Sequence, residues 1–286
     1  MALTADPRAL IYGPDRIEVR TSPCEAAVAA VRTWAPPKEA GMALDPARIR
    51  IATWNIHKEE DPDWETDLTR LAAASDIVLL QEATLIDPLQ AVLKDAGLSW
   101  VMASSFLYRD VDIGVLSAAR VPFVAHCTQR VTEPLLRLPK SSVVTWLPIA
   151  GTTRTLAVAN VHSINFSLLL DEYESQFDAV ATALAEHDGP IVLAGDLNTW
   201  TEDRLAALDR VAQRLGLTAI PFAAGRSKFL GREVDHILVR GLAVTSAASI
   251  AVRSSDHNPV TAVLRLAPSS TVQGHAQQPR NGPQWD

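Results

Sequence analysis

Two regions in which strands and helices alternate, separated by a run of strands, restrict the fold of this chain most strongly. Residues 48–82 read as a strand, an amphipathic helix with an acidic first turn and a short buried strand. Residues 167–216 read as a long helix, a buried strand and a second helix that ends at Gly216. Between residues 99 and 162 the segments are consecutive strands with turn residues between them, a pattern typical of hairpins. This order predicts an α/β fold, a four-layer α/β/β/α sandwich in which two mixed, largely antiparallel sheets pack together.

The distribution of proline and polar residues divides the chain into three parts. Residues 1–46 are rich in proline and contain one short apolar helix candidate, from Cys24 to Trp34, so we expect an N-terminal extension that packs on the domain. Residues 47–266 form the predicted domain. The segment 267–286 is polar and rich in proline and glutamine, and we expect it to be disordered.

Charge and hydropathy limit the partners and the compartment. The chain has 26 Lys and Arg residues against 33 Asp and Glu, and its net charge of −7 repels a polyphosphate at long range. Nucleic acid is therefore a possible partner that the net charge does not indicate. No apolar run approaches the length of a bilayer crossing, which excludes an integral membrane protein. The N-terminus lacks the basic-then-apolar order of a secretory signal, which predicts a cytoplasmic location.

The two cysteines carry a separate expectation. Cys24 and Cys127 are distant in sequence and belong to no Cys-x-x-Cys pair, so we expect neither a disulfide scaffold nor a structural zinc site. The sequence leaves the oligomeric state open.

Polar and ionisable residues lie at the ends of apolar strands, where open α/β sheets bind their ligands. They are Asn55, Glu82, His162, Asp196, Asn198, Asp235, Asp256 and His257. Carboxylates beside apolar strands are costly to bury unless a cation compensates them, which predicts a shared divalent metal. Carboxylate and amide oxygens suit Mg²⁺, with Mn²⁺ as the possible substitute, better than zinc. Because Mg²⁺ often binds through one or two carboxylates and a substrate phosphate, the site indicates phosphoester chemistry.

The same residues stand in short motifs whose order resembles a known superfamily. The motifs are TWNI around Asn55, LQE at Glu82, NVH at His162, GDLN at 195–198, VDHILV at Asp235 and SDHNPV at 255–260. Together they resemble the endonuclease/exonuclease/phosphatase superfamily, which has the DNase I-like fold, over about residues 48–266. Within it, EPLLRLPKSSVV at 133–144 and NVHSINFSL at 160–168 resemble the YafD-type bacterial branch.

The resemblance implies a metal shell and a water-activating group. Glu82 would be the principal metal ligand, with Asn55 orienting it or touching the phosphate, and Asp256 would complete the shell. Asp196 would bind the metal and hold or deprotonate the attacking water. The Asn198 amide would donate to a non-bridging phosphate oxygen.

The resemblance also implies the groups that act on the phosphate. Asp235 would orient His257, and the pair would act as acid and base or as a positive clamp on the transition state. His162 would donate a hydrogen bond to the phosphate from the other side. Lys140, in the stretch that resembles the YafD-type branch, is the preferred substrate contact among the nearby loop cations. The other loop cations, for which a solvated surface role is equally favoured, are Lys58, Arg137, Arg226 and Lys228. We expect His57 and His236 to be structural.

Three functional hypotheses follow. The leading one is a divalent-metal-dependent phosphohydrolase, a phosphodiesterase or nuclease that cleaves by in-line attack of activated water. The first alternative is a phosphatase or phosphodiesterase for a small molecule or a lipid headgroup, which the acidic composition favours. The second is a non-catalytic metal-binding or interaction module, which would be favoured if Asp235 and His257 were too distant to form a hydrogen bond.

Overall fold

A computed structural model describes residues 8–12, 17–36, 41–133, 138–165 and 170–268. The helices are α1 (Cys24–Arg32), α2 (Trp64–Ala74), α3 (Asp87–Asp95), α4 (Asp171–Leu184) and α5 (Glu202–Leu215), with a 3-10 turn at His57–Glu59. The strands are β1 (Arg8–Tyr12), β2 (Ile17–Arg20), β3 (Ile49–Asn55), β4 (Ile77–Thr84), β5 (Ser99–Tyr108), β6 (Val111–Ala119), β7 (Ala125–Thr132), β8 (Pro139–Pro148), β9 (Thr155–His162), β10 (Ile191–Asp196), β11 (Thr218–Ala219), β12 (Lys228–Phe229), β13 (Arg232–Glu233), β14 (Asp235–Arg240), β15 (Leu242–Ser249) and β16 (Val260–Leu266).

The strands form two large sheets. The first has eight strands in the order β15-β16-β3-β4-β6-β5-β1-β2, and the second has six in the order β11-β14-β10-β9-β8-β7. Among the strands of the described ranges, only β3–β4 and β9–β10 pair in parallel, and the other pairings are antiparallel. The predicted sandwich of two mixed, largely antiparallel sheets is confirmed.

Three hydrophobic clusters correspond to the boundaries between the four layers. Between the sheets, Ile51 of β3 belongs to the same cluster as Val158 of β9 and Val192 of β10. The helices α2 and α3 bury their apolar faces on the outside of the first sheet, and α4 and α5 bury theirs on the outside of the second. The α5 helix ends at Gly216 in the left-handed conformation, as its sequence predicts.

The N-terminal extension is more deeply integrated than the sequence indicates. The helix predicted within it is present as α1, but β1 also pairs with β5 and carries β2, so both strands enlarge the first sheet. The expectation for the cysteines is wrong in one respect, because Cys24 and Cys127 form a disulfide that joins α1 to β7. Their Cα atoms lie 4.9 Å apart although 103 positions separate them. The distance between the cysteines in sequence could not predict this contact, because the contact depends on how α1 packs against β7.

No helix in the described part of the chain has the length and apolar character needed to cross a membrane. Most of the segment predicted to be disordered, residues 269–286, lies outside the described residues, as does Arg137.

Candidate active site

Strand alternation brings the predicted side chains into the space between the two sheets. Val192 and Ala194 of β10 face the inter-sheet core, and the next residue on that face is Asp196. In the sheet, Asp196 lies directly beside His162 of β9 on one side and Asp235 of β14 on the other. A cavity of ≈240 Å³ opens at this end of the sandwich. The predicted residues that line it are Asn55, Glu82, His162, Asp196, Asn198, Asp256 and His257.

Glu82 reaches the cavity through an irregularity in β4. Ile77 and Leu79 face the inter-sheet core and Leu80 faces the helices, so regular alternation would turn Glu82 toward the helices as well. The β4–β6 register shifts between Leu80 and Ala83, and Glu82 adopts φ 53. This bulge turns the carboxylate toward the cavity. A left-handed non-glycine residue is strained, and such strain is concentrated at functional sites.

Asp196 is the buried centre of the site. Its Oδ2 accepts a hydrogen bond from Nδ2 of Asn55 at 3.0 Å, and its Oδ1 accepts one from the backbone N–H of Asn198 at 3.2 Å. The Nε2 atoms of His162 and His257 lie 3.5 Å and 3.8 Å from Oδ2. One side-chain amide, one backbone N–H and two imidazoles therefore surround this carboxylate.

Glu82 lies on the other side of His162. Its Oε1 is 3.7 Å from the same Nε2 that approaches Asp196, so the two carboxylates predicted to share a cation face the same imidazole. Burial opposes ionisation of Glu82, but its electrostatic interactions with His162, Lys140 and Lys58 outweigh it and hold the pKa of this carboxyl well below its usual range. Glu82 is therefore ionised throughout the neutral range.

Asp235 and His257 form the predicted hydrogen-bonded pair. Nδ1 of His257 lies 2.9 Å from Oδ2 of Asp235, a carboxylate buried behind the ring. The indole N–H of Trp54 donates to the His257 carbonyl at 2.9 Å and fixes the loop. Burial opposes a charge on His257, but attraction to Asp235 and the hydrogen bond with it, assisted by Asp196, raise its pKa to about 10. His257 is thus an imidazolium at neutral pH, with its Nε2–H directed into the cavity.

His162 has a different environment and a different charge. Burial and the ammonium of Lys140 lower its pKa to about 4, so the ring is neutral at pH 7. Lys140 Nζ lies 2.8 Å from Nε2, and because an ammonium only donates, Nε2 is the acceptor. While Lys140 contacts Nε2, that nitrogen carries no proton to donate, and the predicted donation from His162 to a phosphate stays a prediction.

Asn198 is held by a buried arginine that the sequence does not single out. Asn198 adopts φ 45, and its Nδ2 donates to the carbonyl of Ser163 at 3.1 Å. The guanidinium of Arg204, which is 2% exposed, donates to the carbonyls of Asn198 and Ile164 and stacks against the Trp200 ring. Arg204 stands in an amphipathic helix among other charged residues, where nothing distinguishes it from a surface arginine.

The donor set of the cavity fits a hard dication. Asp196, Asp235 and His257 offer ligand atoms within 4.8 Å of one another and could hold a metal ion. The oxygens of Glu82 and Asp256 line the same cavity, and such oxygens suit Mg²⁺ or Mn²⁺. Because Nδ1 of His257 is already bonded to Asp235, we favour the oxygen-rich set, which is Asn55, Glu82, Asp196 and Asp256, as the metal shell. This assignment stays a prediction.

Two residues given little weight from sequence lie at the cavity. Lys58 Nζ is 2.5 Å from Oε2 of Glu82, and His57, which pairs with Asp61 at 2.7 Å, lines the wall. The signal for both was their position two and three residues after Asn55. Lys140 lines an adjoining cavity of ≈170 Å³ that shares Lys58, Glu82 and His162 with the first.

The remaining candidate residues lie away from the centre. His236 contacts Thr199 at 2.6 Å and Arg226 at 3.2 Å, and neither His236 nor Arg226 lines the cavity. Arg226 also pairs with Glu233. The structural role expected for His236 agrees with these contacts.

Comparison with known proteins places these features in a family context. The profile of the Endonuclease/Exonuclease/phosphatase family matches residues 52–257, which includes the cavity residues from Asn55 to His257. A UPF0294 protein of Yersinia pseudotuberculosis serotype O:1b is 38% identical over 213 residues, which is 74% of this chain and 82% of that protein.

Two solved structures share the fold at low identity. The human Nocturnin catalytic domain with bound sulfate superimposes with a TM-score of 0.62 at 19% identity, over 79% of this chain and 96% of that one. ANGEL2, a 2',3'-cyclic phosphatase solved with adenosine-2',3'-vanadate, superimposes with a TM-score of 0.60 at 13% identity, over 77% of this chain and 96% of that one.

Proposed function

Because the chain belongs to the Endonuclease/Exonuclease/phosphatase family, we propose that it is a divalent-metal-dependent phosphodiesterase. The observation that carries the proposal is the contact between His257 and the buried Asp235, which presents a charged imidazole to a cavity rich in carboxylates. A non-catalytic module does not require such a pair. That hypothesis would be favoured if the two groups were too distant to form a hydrogen bond, whereas Nδ1 of His257 lies 2.9 Å from Oδ2 of Asp235.

The charge of the cavity supports a monoanionic substrate. Its carboxylates outnumber its cations by one. The carboxylates that line it are Glu82, Asp196 and Asp256, and the cations are Lys58 and His257. Asp235, which pairs with His257, and Lys140, which pairs with Glu82, lie behind this lining and add one charge of each sign. One dication would turn this excess into a single positive charge, which the single negative charge of a phosphodiester neutralises.

The residues around the phosphate have distinct roles in this proposal. Asp196 accepts the proton of the attacking water or holds that water in line, since its oxygens lie at the centre of the site. His257 donates from Nε2 to the phosphate or the leaving oxygen, and Asp235 keeps the proton on the ring. Asn198 donates its second amide hydrogen to a non-bridging oxygen. A dication held by Glu82, Asp196, Asp256 and Asn55 would supply charge neutralisation and polarise the phosphoryl group.

A phosphoester panel tests the proposal. The purified protein is assayed with Mg²⁺ and with Mn²⁺ on bis-p-nitrophenyl phosphate, p-nitrophenyl phosphate, single-stranded DNA and RNA, beside Glu82→Ala and His257→Ala. We expect metal-dependent diester cleavage that falls on the order of 10²–10⁴-fold in His257→Ala. His126→Ala, which removes an imidazole on β7 outside the cavity, is the matched control and should keep full activity. Equal rates for the wild type and Glu82→Ala would refute the proposal.

A small-molecule phosphodiester is the second candidate substrate. Lys58 at the cavity pairs with Glu82, and Arg232, which lies opposite the cavity residue Phe229 in a hairpin, pairs with Glu202, which leaves fewer charges for a nucleic acid backbone. Nucleic acid binding should weaken steeply with salt, by roughly one power of the salt concentration per phosphate contact. A KM that does not change between 50 and 300 mM salt would favour the small substrate.

The predicted cytoplasmic location has its own test. The Cys24–Cys127 disulfide weighs against it, because disulfides persist mainly in oxidising compartments. Because Cys127 is buried, cells are quenched with acid and the protein is alkylated with a mass-tagged maleimide under denaturing conditions, which distinguishes the two locations. Two tags on each molecule would support the cytoplasm, and an untagged protein would exclude it.

A further inference from the structure

Both oxygens of Glu82 face an ammonium group. Lys58 Nζ lies 2.5 Å from Oε2 and Lys140 Nζ lies 3.4 Å from Oε1. The three side chains are 33%, 15% and 19% exposed for Lys58, Lys140 and Glu82. Two ammonium groups, poorly screened by water, therefore lie against the carboxylate that the proposed function assigns as a ligand of the dication.

A dication and two ammonium groups cannot share this carboxylate without repulsion, because like charges in a partly buried cavity interact strongly. The repulsion disappears if the lysines find another anion. Both side chains extend along the cavity walls, and lysine is a common point-charge ligand of phosphate. The departure of Lys140 would also free Nε2 of His162, which it contacts at 2.8 Å.

We propose that Lys58 and Lys140 form a clamp that passes from Glu82 to the substrate phosphate when a dication binds, so that dication and phosphate bind cooperatively. The inference rests on the proposed function and adds its order of assembly. Linkage requires the coupling to be reciprocal, so phosphate must raise the affinity for the dication by the factor by which the dication raises the affinity for phosphate.

Calorimetry of the whole protein tests the clamp without any measurement of turnover. Mg²⁺ is titrated with and without saturating inorganic phosphate, with concentrations corrected for the complex that the two ions form in solution. In the wild type we expect phosphate to lower the Mg²⁺ Kd on the order of tenfold. Lys58→Met and Lys140→Met should bind Mg²⁺ on the order of tenfold more tightly without phosphate, and should lose most of the phosphate effect.

The matched control is Lys94→Met, which removes the same charge from an exposed position at the end of α3. It should behave as the wild type in both titrations. Lys58→Gln and Lys140→Gln replace any methionine variant that does not give the wild-type circular dichroism spectrum. A nitrogen-15 spectrum should report a change at His162 Nε2 only when Mg²⁺ and phosphate are both present.

The outcomes separate this inference from the proposed function. Lysine variants with wild-type Mg²⁺ affinity and a wild-type phosphate response would overturn the clamp even if they lost hydrolysis. A wild type that binds neither Mg²⁺ nor Mn²⁺ would overturn the clamp together with the metal-dependent function. Metal-dependent hydrolysis combined with independent binding of Mg²⁺ and phosphate would leave the function in place and reject the coupling.

Discussion

The contact between Asp235 and His257 predicts how the stability of the protein depends on pH. Asp235 is the strongest cause that raises the pKa of His257, which moves from 6.5 to about 10. Between these values the folded protein holds a proton on His257 that the unfolded chain has released. Stability contributed by this proton is complete below pH 6.5 and is lost as the pH rises toward 10. The free energy of unfolding should therefore fall by about 1.4 kcal/mol per pH unit because of this one group.

Asp235→Asn should remove that dependence. The amide oxygen keeps a hydrogen-bond acceptor beside Nδ1, but without the charge of Asp235 the burial of the ring returns the pKa of His257 toward 6.5 or below it. Between pH 7.5 and pH 9.0 the wild type should lose about 2 kcal/mol more than the variant. Burial raises the pKa of the Asp235 carboxyl to about 6. This group therefore does not titrate between pH 7.5 and pH 9.0 and does not contribute to the difference in slope.

Urea unfolding at pH 7.5, 8.25 and 9.0 measures the two slopes, in buffers without reductant so that the disulfide is intact. The prediction concerns the difference between the two slopes, because other groups that titrate in this range are common to both proteins. His257→Gln should give the same flat slope as Asp235→Asn. Parallel slopes for the wild type and both variants would show that His257 carries no raised pKa, and would contradict the assignment of a charged imidazole in the site.

Three further variants test the supporting structure. Cys24→Ala combined with Cys127→Ala should lower the free energy of unfolding by about 2–4 kcal/mol in urea titration and leave hydrolysis unchanged, because the bond closes a long loop away from the cavity. Gly195→Ala should cost roughly 3 kcal/mol in thermal unfolding, since its Cβ would lie 2.0 Å from the Val161 carbonyl oxygen and its φ is 138. Gln81→Leu should cost about 2 kcal/mol in urea titration, because it leaves the buried Asn160 amide oxygen without the donor now 2.6 Å away. A Gly195→Ala protein as stable as the wild type would contradict the close approach of β9 and β10.

The sequence predicts the parts of the site that regular strands create. Asn55, His162 and Asp196 end uninterrupted strands, so the alternation of side chains fixes their face and the sheet order fixes their neighbours. The pairing of Asp235 with His257 was also predictable, because the resemblance supplied the partner that periodicity cannot.

Features that depend on irregular backbone or on remote packing were not predictable. No pattern in LQE signals the bulge that turns Glu82 inward, since a regular β4 would direct it toward α2. The contact of Lys58 with Glu82 depends on the positive-φ turn that follows Asn55, and the disulfide depends on where α1 packs. Each of these is a tertiary outcome with no local signature.

Backbone strain at the cavity is found in its irregular segments. Glu82 and Asn198 adopt φ 53 and φ 45, and the turn after Asn55 places Lys58 at φ 57. Each left-handed non-glycine residue costs on the order of 1 kcal/mol, and the structure keeps them because hydrogen bonds over-determine the loops. Arg204 satisfies the carbonyl of Asn198, and Glu59 accepts from the Thr84 N–H below Glu82. The regular strands thus bring Asp196, His162 and Asp235 together without left-handed backbone, while the strained residues Lys58, Glu82 and Asn198 add further groups proposed to bind the cation and the phosphate from directions that a flat sheet cannot reach.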